Sequence, residues 1–278
     1  MPTIPSGPER AGAGEPHRQH PVARSFGADA TRYDRARPRY PDALVRRILD
    51  LAHSPGPPHV VDVGCGTGIV ARQLLGAGCQ VLGVEPDPRM ADLARRSKVV
   101  VEEATFEDWD PAGLTYDAVV AGQAWHWVDP VAGAVKAART LRPGGLLAPF
   151  WNSFELPPDL ADAVTEACRT LPDAPFGVRA LGRGTADGYG TLVGSAVAGI
   201  RATGAFTEPA QWRHDWERTY TKDAWLDQLP TQGAFTRLPA SALAAVLDAV
   251  GAAVDARGGS FTMRYATVAV TALARDGG

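Results

Sequence analysis

The chain is 278 residues long, 45% apolar and 21% charged, which suits one large α/β domain or a domain with an appended cap rather than a disordered chain. Its formal net charge of −3 supplies no general electrostatic grip, so no nucleic-acid partner is expected. Cys65, Cys79 and Cys168 read as reduced thiols of a cytoplasmic protein, the six scattered histidines make no metal site, and without a membrane-length apolar run or a signal core no membrane partner is expected.

Residues 1–24 carry five prolines and no apolar period, and are expected to form a disordered tail before a single domain over 25–278. Within that domain, residues 25–58 divide off as an N-terminal lid and helix. Pro41 opens the helix, whose Leu44, Val45, Ile48, Leu49 and Ala52 repeat at helical spacing until the prolines at 55, 57 and 58.

Residues 59–152 form the expected ligand-binding core. Val60, Val61 and Val63 make a buried strand that runs into Gly64, Gly66 and Gly68, and helix-compatible Ile69–Leu75 follows at once. A second strand over Gln80–Glu85, a helix over Arg89–Arg96 and a third strand over Lys98–Glu102 come next. The fourth strand, Asp117–Gly122, delivers Gln123–Trp127 to the same sheet edge. A helix over Pro130–Thr140 is broken by Pro143, Gly144 and Gly145 before a fifth strand, Leu146–Trp151.

Residues 153–208 are expected to be a substrate-side insertion. Asp159–Leu171 reads as a helix, and eight glycines between Gly177 and Gly204 read as a flexible loop or lid. Residues 209–278 hold two alternating stretches, Gln211–Tyr220 and Ser260–Leu273, with helices over Lys222–Leu229 and Ser241–Val254 between them. The order of elements is that of a doubly wound α/β sheet.

The strand, glycine loop and helix at residues 59–75 place backbone N–H groups and a helix N-terminus at a sheet edge, where open α/β folds bind nucleotide-like ligands. Glu85, at the end of the next strand and 21 residues after Gly64, stands where a carboxylate grips ribose hydroxyls. A dinucleotide fingerprint would need glycine at Ile69, so an NAD(P)-dependent oxidoreductase is disfavoured.

Val61-Asp-Val-Gly-Cys-Gly-Thr-Gly68 followed by Val84-Glu-Pro-Asp87 resembles the first two motifs of class I S-adenosylmethionine-dependent methyltransferases, in their small-molecule branch. Tyr116–Pro130 and Leu141-Arg-Pro-Gly-Gly145 are similar to two later motifs of that family, and the likeness covers about residues 26–152. It implies a Rossmann-like, mostly parallel seven-stranded sheet with an antiparallel C-terminal strand, and S-adenosyl-L-methionine as cofactor.

The same resemblance implies cofactor contacts from Tyr33, Asp62, Gly64, Cys65, Gly66, Thr67, Gly68, Glu85, Pro86, Met90, Thr105, Phe106 and Gln123. Tyr33 would cover the sulfonium end from the lid, and Thr105 and Phe106 would flank adenine. Cys65 also reads as plain packing, and Asp62 as a cap on loop donors.

Methyl transfer is mostly positioning, but a phenol, alcohol or amine acceptor gains from a general base. His126 is the histidine that these motifs bring to the sheet mouth, and is the candidate base. Trp125, Trp127 and Trp151 are candidate walls for a small organic acceptor, and Arg37 a candidate to meet a carboxylate. The alternative is a cyclase or binding protein of the same fold that keeps the cofactor without methyl transfer. Sequence leaves the acceptor and the oligomeric state open.

Overall fold

The structure, a computed structural model, describes residue 23 and residues 25–52, 54–169 and 186–276. The expected tail thus lies almost wholly outside the described residues, as does the first part of the glycine-rich stretch.

Seven strands form one sheet: β1 (His59–Val63), β2 (Gln80–Val84), β3 (Val100–Glu102), β4 (Tyr116–Gly122), β5 (Leu141–Glu155), β6 (Ala210–Thr221) and β7 (Ser260–Leu273), in the order β3-β2-β1-β4-β5-β7-β6. The first five pair in parallel, and β7 runs antiparallel to both β5 and β6. In β1 and β4 almost every residue is buried, because helices cover both faces; a strand in that setting reads as a continuous apolar run.

On one face, α2 (Asp42–Leu51), α3 (Ile69–Gly76) and α4 (Pro88–Arg96) pack Leu44, Ile48, Leu74, Ala91 and Ala94 against Val60, Ala118 and Val120. Leu44, Ile48 and Leu74 are almost wholly shielded. Burying a side chain of that size contributes about 1.5–3 kcal/mol before entropy is counted. The other face carries α5 (Pro130–Thr140) and α7 (Ala186–Thr203), which seat Ala134, Ala137, Ala196 and Ile200 over Val61, Val119 and Ala121. Beyond the far end of β6 and β7, a third cluster joins α6 (Pro158–Arg169), α8 (Lys222–Gln228) and α9 (Ala240–Ala256) around Tyr220, Trp225 and Phe261. A short helix, α1 (Ala30–Ala36), lies ahead of them in the chain.

Two expectations about elements are corrected. The glycine-rich stretch is not a loop over residues 186–203, which form the 18-residue helix α7. Its buried positions Val193, Ala196 and Ile200 repeat at helical spacing, and Gly199 meets α5 so closely that a Cβ there would lie 2.1 Å from the Pro130 carbonyl oxygen. Glycine at that contact permits helix packing rather than breaking a helix. The fifth strand begins earlier than Leu146, since pairing shifts from Tyr116↔Leu141 to Ala118↔Leu146 and Pro143–Gly145 bulge out within β5. The Gly144 N–H finds its acceptor on Ala274, beyond β7.

Candidate active site

Strand order reverses between β1 and β4, and ligands of open α/β sheets bind beyond the strand C-termini at such a point. Here the chain leaves β1 through Gly64, Gly66 and Gly68, with φ of 61°, 56° and 83°. L-residues resist these conformations, so three close glycines allow this turn. A Cβ on Gly64 would come within 2.5 Å of Ala124, so the loop also needs glycine to approach the end of β4. A Cβ on Gly66 would meet nothing nearer than Met90 at 3.8 Å. The Gly66 backbone therefore borders free space.

Glu85 sits beneath that loop. Its Oε2 accepts the Gly66 N–H and its Oε1 the Asp87 N–H, each at 2.9 Å. Burial pushes its carboxyl up to about 7, against the pull of those two N–H groups. Asp62 is deeper still, and burial, aided by the nearby Glu85 charge, raises its carboxyl to about 8 against the pull of the Ala71 backbone N–H. Cys65 packs its sulfur onto Gly83 of β2, where a Cβ would lie 2.5 Å away, and burial pushes its thiol up. Its side chain is spent on packing β2.

The segment expected to be a lid is fastened from two sides. Asp34 of α1 accepts the Thr67 hydroxyl at 2.8 Å and pairs with Arg72, while Arg32 and Arg35 reach Asp227 of α8. Phe26 is edge-on to Tyr33 and to Trp127, and the Arg37 guanidinium lies 4.9 Å from the Tyr33 ring centre. Arg37 also donates to the Thr231 carbonyl at 2.5 Å.

These elements enclose a cavity of about 830 Å3, within the usual span of about 300–1,000 Å3 for small-molecule sites. Of the expected cofactor residues, Tyr33, Gly64, Gly66 and Glu85 line it, as do Pro86, Met90, Thr105, Phe106 and Gln123. Arg37, His126 and Trp127 border the same space. Asp62, Cys65, Thr67 and Gly68 are not among the residues that line it. Two expected walls are corrected: Trp125 is shielded against Phe106, and Trp151, on β5, is wholly buried.

His126 is changed in kind. Trp151 donates its Nε1–H to His126 Nδ1 at 3.2 Å. An indole is donor only, so Nδ1 presents its lone pair and the neutral ring carries its proton on Nε2. Burial lowers the ring to about 4, which keeps it neutral. A ring held this way offers the cavity an N–H, not a base.

Sequence reasoning missed Tyr189 and Gln232. Tyr189 stands on α7, one turn before Val193, and its hydroxyl is 3.3 Å from the Gln123 amide nitrogen. The helical period of Tyr189, Val193, Ala196 and Ile200 was the available signal. For Gln232, just past the turn Leu229–Thr231, there was none.

The sequence profile of the methyltransferase domain family matches residues 33–149. A malonyl-[acyl-carrier protein] O-methyltransferase of Enterobacter lignolyticus is 30% identical over 186 residues, which are 65% of this chain and 68% of that protein. The chain belongs to the class I S-adenosylmethionine-dependent methyltransferases. An uncharacterized methyltransferase of Mycobacterium tuberculosis is 38% identical over 131 residues, 46% of this chain and 52% of that protein, so the match spans about half the relative's length. A solved structure assigned to a type II methyltransferase from Anaeromyxobacter dehalogenans superposes on 84% of this chain and 97% of its own with a TM-score of 0.58 at 24% identity, a likeness of fold. The residues present suit the family's cofactor: bare loop backbone at Gly66 borders open space beside a buried acid at the end of β2, and Phe106 and Met90 wall the same cavity.

Proposed function

We propose that this protein transfers the methyl group of S-adenosylmethionine to a small organic acceptor. The observation that carries this reading is the single cavity that runs from the glycine loop and Glu85 to His126, Trp127 and Tyr33. When bound, the cofactor supplies an activated methyl group on a cationic sulfonium.

The chain's own residues then hold and shield. Glu85 takes the ribose hydroxyls with the lone pairs that its two backbone donors leave free, and Pro86, Met90, Thr105 and Phe106 enclose the adenine. Gly64 and Gly66 give backbone to the methionine end, and Gln123 gives its amide. Tyr33, braced by Phe26, covers the sulfonium and excludes water, which leaves alignment of the acceptor as the main source of rate. The three cysteines are free and buried, which suits a reducing compartment, and we place the protein in the cytoplasm.

Titration calorimetry with S-adenosylmethionine and S-adenosylhomocysteine tests the reading, with binding of both expected and loss of both in Glu85→Ala. A folded protein that binds neither overturns it.

A further inference from the structure

Building on the methyltransferase reading, we propose that the acceptor is a carboxylate methylated on oxygen. It is held between Arg37 and Gln232 and oriented by the His126 Nε2–H, with Trp151 as the positioning residue that keeps the proton on that nitrogen.

The argument starts from what the cavity has to offer. The Trp151 indole, wholly buried, occupies the Nδ1 lone pair of His126. A second proton on the ring would set N–H against N–H, so His126 presents a donor. The lining carboxylates are Glu85, Asp87, Glu107 and Asp108, and they follow β2 and β3, in the half that suits adenosine. Each is engaged: Glu85 by two backbone N–H groups, Asp87 by Arg89, Glu107 by the Asp129 N–H, and Asp108 by the Thr105 hydroxyl. Tyr189 is pushed above the ordinary phenol range by burial, and the Tyr33 ring lies against the Arg37 guanidinium.

Among the described lining residues, then, nothing beside β4 and β5 stands ready to receive a proton. Donors are in surplus there. Arg37 Nε and Gln232 Nε2 are buried without hydrogen-bond partners, and both residues line the cavity. Leaving such groups unmet is costly, and a planar anion satisfies both.

A carboxylate is the acceptor that this set of groups can use. It is ionised near neutral pH, so one oxygen lone pair forms the new C–O bond as the C–S bond breaks, with the bonding pair going to sulfur. The sulfonium becomes a neutral thioether and the carboxylate a neutral ester. No proton moves. A phenol, alcohol or ammonium group would have to shed a proton that this half of the cavity cannot take.

The cofactor's methionine end is also a carboxylate, and the experiment separates the two sources. Once calorimetry has shown that the purified chain binds S-adenosylmethionine, methyl-labelled cofactor is offered with a panel of mono- and dicarboxylic acids, phenols and amines. Failure to bind sinks the methyltransferase reading; the products judge the acceptor. The expected label is base-labile and released as methanol from an ester. Label in an aryl ether or an amine overturns the proposal.

Arg37→Lys and Gln232→Leu should raise acceptor KM by about 10- to 100-fold with S-adenosylhomocysteine affinity kept, the loss expected for a hydrogen bond to a charged group. Lost cofactor affinity at unchanged KM overturns their placement on the acceptor. Nitrogen-15 spectra of His126 need no acceptor: a single Nε2–H tautomer that does not titrate between about pH 6 and 8 is expected, and it becomes a mixture in Trp151→Phe. An Nδ1–H tautomer, or titration near neutrality, refutes the donor role. His126→Gln, which keeps an N–H near the Nε2 position, should retain far more activity than His126→Ala, and equal loss of kcat in both would restore a base.

Discussion

Glu85 Oε2 accepts the Gly66 N–H at 2.9 Å, and this bond ties the end of β2 to the middle of the glycine loop. It makes the acid proposed to hold the ribose also the support of the loop. Glu85→Gln can keep the shape but offers only one carbonyl oxygen, so it either supports Gly66 or meets a ribose hydroxyl well. A loss of about 1–3 kcal/mol in cofactor binding is expected, with the melting temperature changed far less than in Glu85→Ala. Calorimetry and thermal unfolding on both variants read the two roles separately.

Acid should stabilise the ligand-free protein. Asp62 and Glu85 titrate at about 8 and about 7 when folded, above their ordinary values of 3.8 and 4.5. Between those limits the folded chain holds protons that the unfolded chain has released, so stability rises as pH falls from about 8 toward 5, where other carboxylates begin to take over. Asp62→Asn should flatten this dependence and raise stability near pH 8. Denaturant unfolding across that range checks it, and a profile that instead rises with pH contradicts a carboxyl at residue 62 that burial keeps protonated.

The order of strands through β5 was legible because the valine-rich runs of β1 and β4 are too short for helices and end at glycines, with helical periods between the strands. The site was legible where its residues sit directly at strand ends, as Gly64, Glu85 and Gln123 do. It was not legible where distant segments supply them: Gln232 reaches the cavity only because α8 and the following turn fold back onto α1. Trp125 and Trp151 misled for a different reason, since an aromatic residue near a sheet edge can line a site or underlie it. The side it takes depends on neighbours such as Phe106 that sequence does not place.

The glycines of α7 give a prediction with two signs. Gly190 and Gly194 are exposed, and a Cβ on either meets nothing within 4 Å. Alanine there should stabilise by about 0.5–1 kcal/mol each, since glycine in a helix costs that much in unfolded-state freedom. Gly199→Ala should destabilise, because its Cβ would fall 2.1 Å from the Pro130 carbonyl oxygen and force α7 off α5, at a cost of about 1–3 kcal/mol. Unfolding free energies of the three variants settle it, and stabilisation by Gly199→Ala would mean that the two helices are not in close contact.

The lid should be governed by Asp34. Thr67 is 1% exposed, and its hydroxyl donates to Asp34 Oδ1 at 2.8 Å, with Arg72 on the same oxygen. Asp34→Ala strands a buried hydroxyl and removes the partner of Arg72, so α1 loses its attachment to the glycine loop while every cavity-lining side chain stays in place. The expected loss is about 1–3 kcal/mol, the cost of an unmet buried group. It should appear as faster cofactor release in stopped-flow measurements, since a loosened lid mainly shortens residence. Thr67→Val removes the hydroxyl itself and strands no donor, so its effect should be clearly smaller, and the double variant should cost little more than Asp34→Ala alone. If the two single variants slow or speed release equally, or their effects simply add, the Thr67–Asp34 bond is not what seats the lid.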